Sequence, residues 1–130
     1  MDRKQHSFRR MRIWQVGFEI ADLVYQMVDE WPRQELYSLS QQSTRAAAST
    51  PANIAEGSAK SSDKDFRRYL EIALGSCYEL QTHLLLAKRR GFGDQEKLEL
   101  ALNMIDEEQK MLVGFMKGLT TKINQNSKTH

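Results

Sequence analysis

Residues 66–91 read FRRYLEIALGSCYELQTHLLLAKRRG, and the apolar positions of this stretch recur with a helical period. Phe66, Leu70, Ala73, Cys77, Leu80, Leu84 and Ala87 return every three or four residues, which lines one face of an α-helix; a half-buried strand would alternate every second residue. Just upstream, Ser62 and Asp65 have the spacing of a capping box, and Asp63 places negative charge in the first turn, where the helix dipole favours it. Lys88, Arg89 and Arg90 occupy the cation-favouring end, and Gly91 and Gly93 stop the helix.

Three further helical segments lie outward from this one. Before it, a segment beginning near Glu35 carries Leu36, Leu39, Ala46, Thr50 and Ile54 on one side and is rich in small residues between positions 43 and 59. Pro51 removes an amide donor there and crowds the carbonyl of Ala47, so the segment is either one kinked helix or two shorter ones. The apolar phase continues past Pro51, which favours the kink, and residues 57–62 break the pattern. The first segment spans about residues 13–30, with Val16, Ile20, Leu23, Val24, Met27 and Trp31 in phase, and ends at Pro32. The last runs from Asp94 to about Ile123 along Leu98, Ala101, Ile105, Leu112, Met116 and Leu119. Short connections between long helices predict an all-α, antiparallel up-down-up-down four-helix bundle over 13–123, with the second helix kinked near Pro51. Residues 1–12 are expected to be a flexible basic N-terminus and residues 124–130 a frayed tail.

A length of 130 residues with 40% hydrophobic and 28% charged residues suits one globular domain with one core and leaves little chain for a second catalytic module. The single cysteine, Cys77, cannot form an internal disulfide, and no apolar stretch follows the basic start, so a cytoplasmic protein is expected. The apolar run at 84–87 is far below the roughly 20 residues a membrane span needs, so no membrane partner is expected.

The formal net charge of +2 conceals a division. Arg3, Lys4, Arg9, Arg10 and Arg12 face only Asp2 at the start, and Lys110, Lys117, Lys122 and Lys128 face no acid at the end, while between them acids outnumber bases 16 to 10. The termini are therefore where an anionic partner would be met, and the first five basic residues are the candidate contacts to RNA or DNA phosphates. The alternative is that they only keep the chain ends soluble. No base-reading motif accompanies them.

Residues 43–57 read STRAAASTPANIAEG. With residues 66–91, Ile13, Trp14, and the turn carrying Pro32, Glu35, Leu36, Tyr37 and Leu39, this stretch resembles the bacterial four-helix-bundle proteins encoded in intervening sequences of large-subunit ribosomal RNA genes. The likeness covers about residues 12–119, and its most specific part is 53–57 preceded by Arg45 and Ser49 and followed by Leu70, Ala73, Gly75, Ser76, Glu79 and Leu80. It implies a compact bundle that assembles as a homo-oligomer, a five-membered ring. A more distant likeness is to the basic pentameric accessory protein of diversity-generating retroelements, which implies contact with nucleic acid. Thr50 and Cys77 depart from the aliphatic residues common in the ribosomal RNA-associated family.

The residues Arg45, Ser49, Asn53, Glu56, Gly57, Gly75, Ser76 and Glu79 are expected to serve packing or assembly. Ser49 and Asn53 can satisfy backbone groups near Pro51, Glu56 can pair with an arginine of this or a neighbouring protomer, and Gly75 with Ser76 predicts close approach to the small-residue segment. Glu79 and His83 have the i, i+4 spacing of a metal or acid–base pair, but two ligands do not make a site, and the Glu-x-x-His of di-iron bundles is absent. No nucleophile–base motif and no glycine-rich phosphate loop occurs, so neither enzyme activity nor a cofactor is expected. The expected function is a non-enzymatic, self-associating scaffold with weak, sequence-independent RNA or DNA binding. The alternative is an adaptor whose acidic middle recruits a nucleic-acid-processing enzyme.

Overall fold

The computed structural model describes residues 7–128. Helices α1 (Arg12–Val28), α2 (Leu39–Ser58), α3 (Asp63–Arg90) and α4 (Gln95–Lys128) account for most of them. Short 3-10 turns at Phe8–Arg10 and Arg33–Glu35 lead into α1 and α2. Each helix packs on its sequence neighbours and α1 closes against α4, while the diagonal pairs stay apart. This is the up-down-up-down four-helix bundle that the periodicity predicts.

The caps follow from local chemistry. Ser62 Oγ accepts the backbone N–H of Asp65 at 3.1 Å, and Asp94 Oδ1 accepts those of Glu96 and Lys97. Gly91 closes α3 at φ +70°, a left-handed conformation that glycine adopts without steric cost. Helix α2 runs through Pro51 as one element, so the two-helix alternative falls away. Helix α4 continues five residues past Ile123, through the stretch expected to be a frayed tail. Neither proline nor glycine occurs after Gly118, so no residue there interrupts backbone hydrogen bonding. At the other end, Met11 marks the extended residue before α1, so the helix begins one residue before Ile13.

Two apolar clusters fill the interior. One gathers Val16, Ile20, Val24, Met27, Trp31, Leu80, Leu84, Leu98 and Ile105 towards the α1–α2 and α3–α4 turns. The other gathers Ile13, Ile54, Phe66, Leu70, Cys77, Leu112 and Leu119 towards the α2–α3 turn. The most extensive helix contact is between α2 and α3, because Ala46, Ala47 and Gly57 let the backbones approach. A Cβ at Gly57 would lie 2.7 Å from Tyr69 Cβ and 3.0 Å from Phe66 Cδ1, which explains the glycine.

Gly75 corrects an expectation. It is exposed, and a Cβ built on it meets nothing within 4 Å, so close approach of α2 does not account for this mid-helix glycine. The second helix lies on the side of Ser76, one residue and about 100° further round.

Candidate polar site between the second and third helices

The residues expected to serve packing or assembly all lie on α2 and α3, whose long interface brings several polar side chains into a ladder. Ser49 Oγ and Ser76 Oγ are 2.9 Å apart across the interface. Asn53 Nδ2 donates to the Ser49 carbonyl at 2.8 Å and to its hydroxyl at 3.0 Å. Asn53 thus takes a carbonyl one turn below itself, and not that of Ala47 which Pro51 leaves without its helical donor. One turn towards the other end of the bundle, the Arg45 guanidinium donates to Glu79 Oε2 and to Gln42 Oε1. His83 Nε2 lies 3.2 Å from the same Glu79 oxygen, while its Nδ1 is buried without a partner among the described residues.

Arg45 therefore pairs across the helices with Glu79, whereas Glu56 is exposed and has no ion-pair partner among the described residues. The i, i+4 pair of Glu79 and His83 is formed, but its shared oxygen is taken by a guanidinium, which cannot ligate a cation. No group of three or more His, Cys, Asp or Glu among the described residues could hold a metal ion. The ladder links α2 to α3 at Ser49–Ser76 and at Arg45–Glu79. Cys77, packed beneath it, is fully buried 3.7 Å from Thr50 Oγ1. Burial pushes its thiol up to about 12, against the lowering effect of Thr50, and Glu108 raises it further, so no reactive thiolate forms near neutral pH.

Because the Arg45 and Glu79 side chains are 56% and 36% exposed, solvent screens their attraction. A double-mutant cycle with Arg45→Ala and Glu79→Ala, read by urea denaturation, is expected to give a coupling of about 0.2–1 kcal/mol. A coupling of several kcal/mol would place the pair in a water-excluded interface.

The candidate phosphate contacts divide. Arg9 and Arg10 are exposed in the turn before α1, and Arg12 is exposed but reaches Glu107 at 3.5 Å. Arg3 and Lys4 lie outside the described residues, as do His6 and His130. The topology adds what the linear charge pattern lacks: the start of α1, the α2–α3 turn and the end of α4 share one end of the bundle, where Ile13, Ile54, Phe66 and Leu119 pack together. Lys60 from that turn and Lys64, Arg67 and Arg68 from the start of α3 therefore lie at the same end as Arg9, Arg10 and Arg12, interspersed with Asp63 and Asp65; Arg67 pairs with Glu71 and donates to Thr120 on α4 at 3.0 Å.

The sequence pattern alone did not single out Glu108. It is 0% exposed, and neither carboxyl oxygen has a hydrogen-bond partner among the described residues. Burial raises its carboxyl to about 8, and neighbouring Glu107 adds to the rise while Arg12 opposes it. Its spacing from Ile105 and Leu112 was the available signal, since it puts an acid squarely on the apolar seam.

The fold and this ladder define a helical-bundle domain whose distinctive polar residues join helices to one another. Comparison with known proteins places it further: residues 9–114 match the family described as 23S rRNA-intervening sequence protein, and the chain belongs to that family. Among solved structures it is similar to a protein of unknown function from the S23 ribosomal protein family of Bacteroides thetaiotaomicron. The two share 28% identity at a TM-score of 0.72, over 81% of this chain and 98% of that one. No curated protein matches the chain.

Proposed function

We propose that this protein is a non-enzymatic cytoplasmic scaffold that associates with copies of itself, five in a ring as the family resemblance implies, and offers its basic ends to RNA or DNA. The observation that carries the association is the outer face of α3. Ile72, Tyr78, Leu85 and Leu86 are about half exposed there, and Gly75 leaves a gap among them. Adjacent exposed apolar side chains on one helix favour a protein contact, and an open mid-helix glycine costs about 1 kcal/mol that a close inter-subunit approach would explain. The nucleic-acid part rests on the basic end of the bundle and on the distant likeness to the retroelement accessory protein.

Sedimentation of the purified chain is expected to give a species several times 15.1 kDa, five times in the ring. A monomer at all working concentrations would overturn the scaffold reading. Titration of mixed-sequence RNA and DNA at low salt is expected to show weak binding that tolerates sequence changes. Replacing Arg9, Arg10 and Arg12 by glutamine should flatten the slope of log K against log salt by about 2–3, at roughly 0.7–0.9 for each phosphate no longer neutralised. Absence of binding at low salt, together with retention of a basic protein by the acidic middle, would replace this half of the proposal by the adaptor.

A further inference from the structure

Along the buried seam of α4 a single residue, Glu108, stands between Ile105 of one apolar cluster and Leu112 of the other, with the partly buried Met111 packed against both. Its surroundings are tight. A Cβ at Gly17 on α1 would lie 2.8 Å from Glu108 Oε2 and 3.6 Å from Pro51 on α2, so glycine at 17 makes room for the carboxyl. A neutral carboxylic acid can be tolerated in such a place at the cost of its lost hydrogen bonds with water; a carboxylate without a partner cannot, since burying an unpaired charge costs far more.

We propose that Glu108 is a proton-operated latch at the middle of the bundle: protonated, it lets α4 close on Gly17 and join the two halves of the core; deprotonated, it forces α4 and α1 apart until water reaches it. The groups that face it allow this behaviour. From α1 comes Arg12, whose side chain is 68% exposed and already shared with Glu107; from α3 comes Cys77, which stays a neutral thiol. Helix α2 brings Pro51 against Gly17 and Thr50 against Cys77, neither of which ionises. On α4 itself, Glu107 adds like charge and no compensation.

The sign follows from proton linkage. The folded chain holds the Glu108 proton up to about pH 8, whereas the unfolded chain releases it near the ordinary value of 4.5. Between these limits each pH unit lowers the folding constant by about tenfold, and above the upper one the loss is complete. Other carboxylates contribute their own pH dependence, so the ratio of wild type to Glu108→Gln isolates this one. That ratio of folding constants, from urea denaturation, is expected to fall about a hundredfold between pH 5.5 and pH 7.5. A ratio independent of pH would overturn the latch.

Titration of the 13C-labelled carboxyl in the wild-type protein tests the same point without a variant. Glu108 should titrate near 8. Amide shifts accompanying that step should concentrate at Gly17 and residues 105–112 and spare Gly57 and Phe66. Titration in the ordinary carboxylate range, or a response spread evenly over the chain, would equally overturn it. Glu108→Leu, which fills the layer with apolar atoms, is expected to remove the alkaline loosening altogether.

Discussion

Replacing Phe66 by alanine is expected to lower the free energy of unfolding by about 3–5 kcal/mol. The ring is 2% exposed and meets Phe115 edge-on at 5.4 Å between centroids. It also lies against the bare backbone of Gly57, so its removal leaves a void bordered by α2, α3 and α4 together. Helices α2 and α3 already approach closely at Gly57 and Tyr69, so they have little room to close further into that void. Gly57→Ala probes the same corner from the other side. It gains about 1 kcal/mol of helix propensity but forces a methyl group against Tyr69 Cβ, for an overpacking cost of about 1–3 kcal/mol. Urea denaturation followed by far-ultraviolet circular dichroism measures both, and a loss below 1 kcal/mol for Phe66→Ala would contradict this packing.

The paired replacement Tyr78→Asp with Leu85→Asp is expected to abolish self-association while leaving the helical content of the chain unchanged. Both side chains are about 50% exposed in the single chain, so their loss should alter its own stability by only about 0.5 kcal/mol each. In an assembly the same positions would carry unpaired charges into a desolvated contact, which costs several kcal/mol. Sedimentation velocity should then show a 15.1 kDa species. Gly75→Ala sharpens the test, because nothing within the chain opposes the added methyl group. It should raise the thermal stability of the dissociated chain and weaken association where another backbone must approach. Unchanged sedimentation in the paired variant would remove α3 as the contact face.

Much of the architecture was legible because helix-forming sequence information is local. The apolar residues from Phe66 to Ala87 repeat with the helical period, Ser62 caps its own third amide, and Gly91 stops the helix by its own conformation. The ladder was legible only in part. Arg45, Ser49, Asn53, Ser76 and Glu79 stood out, but their partners did not, because a hydrogen bond across two helices depends on register and rotation. Thus Arg45 meets Glu79 across the helices, and Gly75 faces outward although Ser76 faces α2.

Four helices, their apolar faces and the boundaries at Ser62 and Gly91 are local properties of the sequence, since periodicity, caps and breakers act within a few residues, whereas α2 starts at Leu39 and not near Glu35, and α4 runs past Ile123 to Lys128. Which groups lie together depends on how the helices pack: the start of α1 and the end of α4 meet the α2–α3 turn at one end, and Glu108 stands on the buried seam of α4 between two apolar clusters, opposite Gly17. The reason is physical. An acid on a helical seam reads as one more surface charge until three other helices close around it, and its ionisation is then governed by the water those helices exclude.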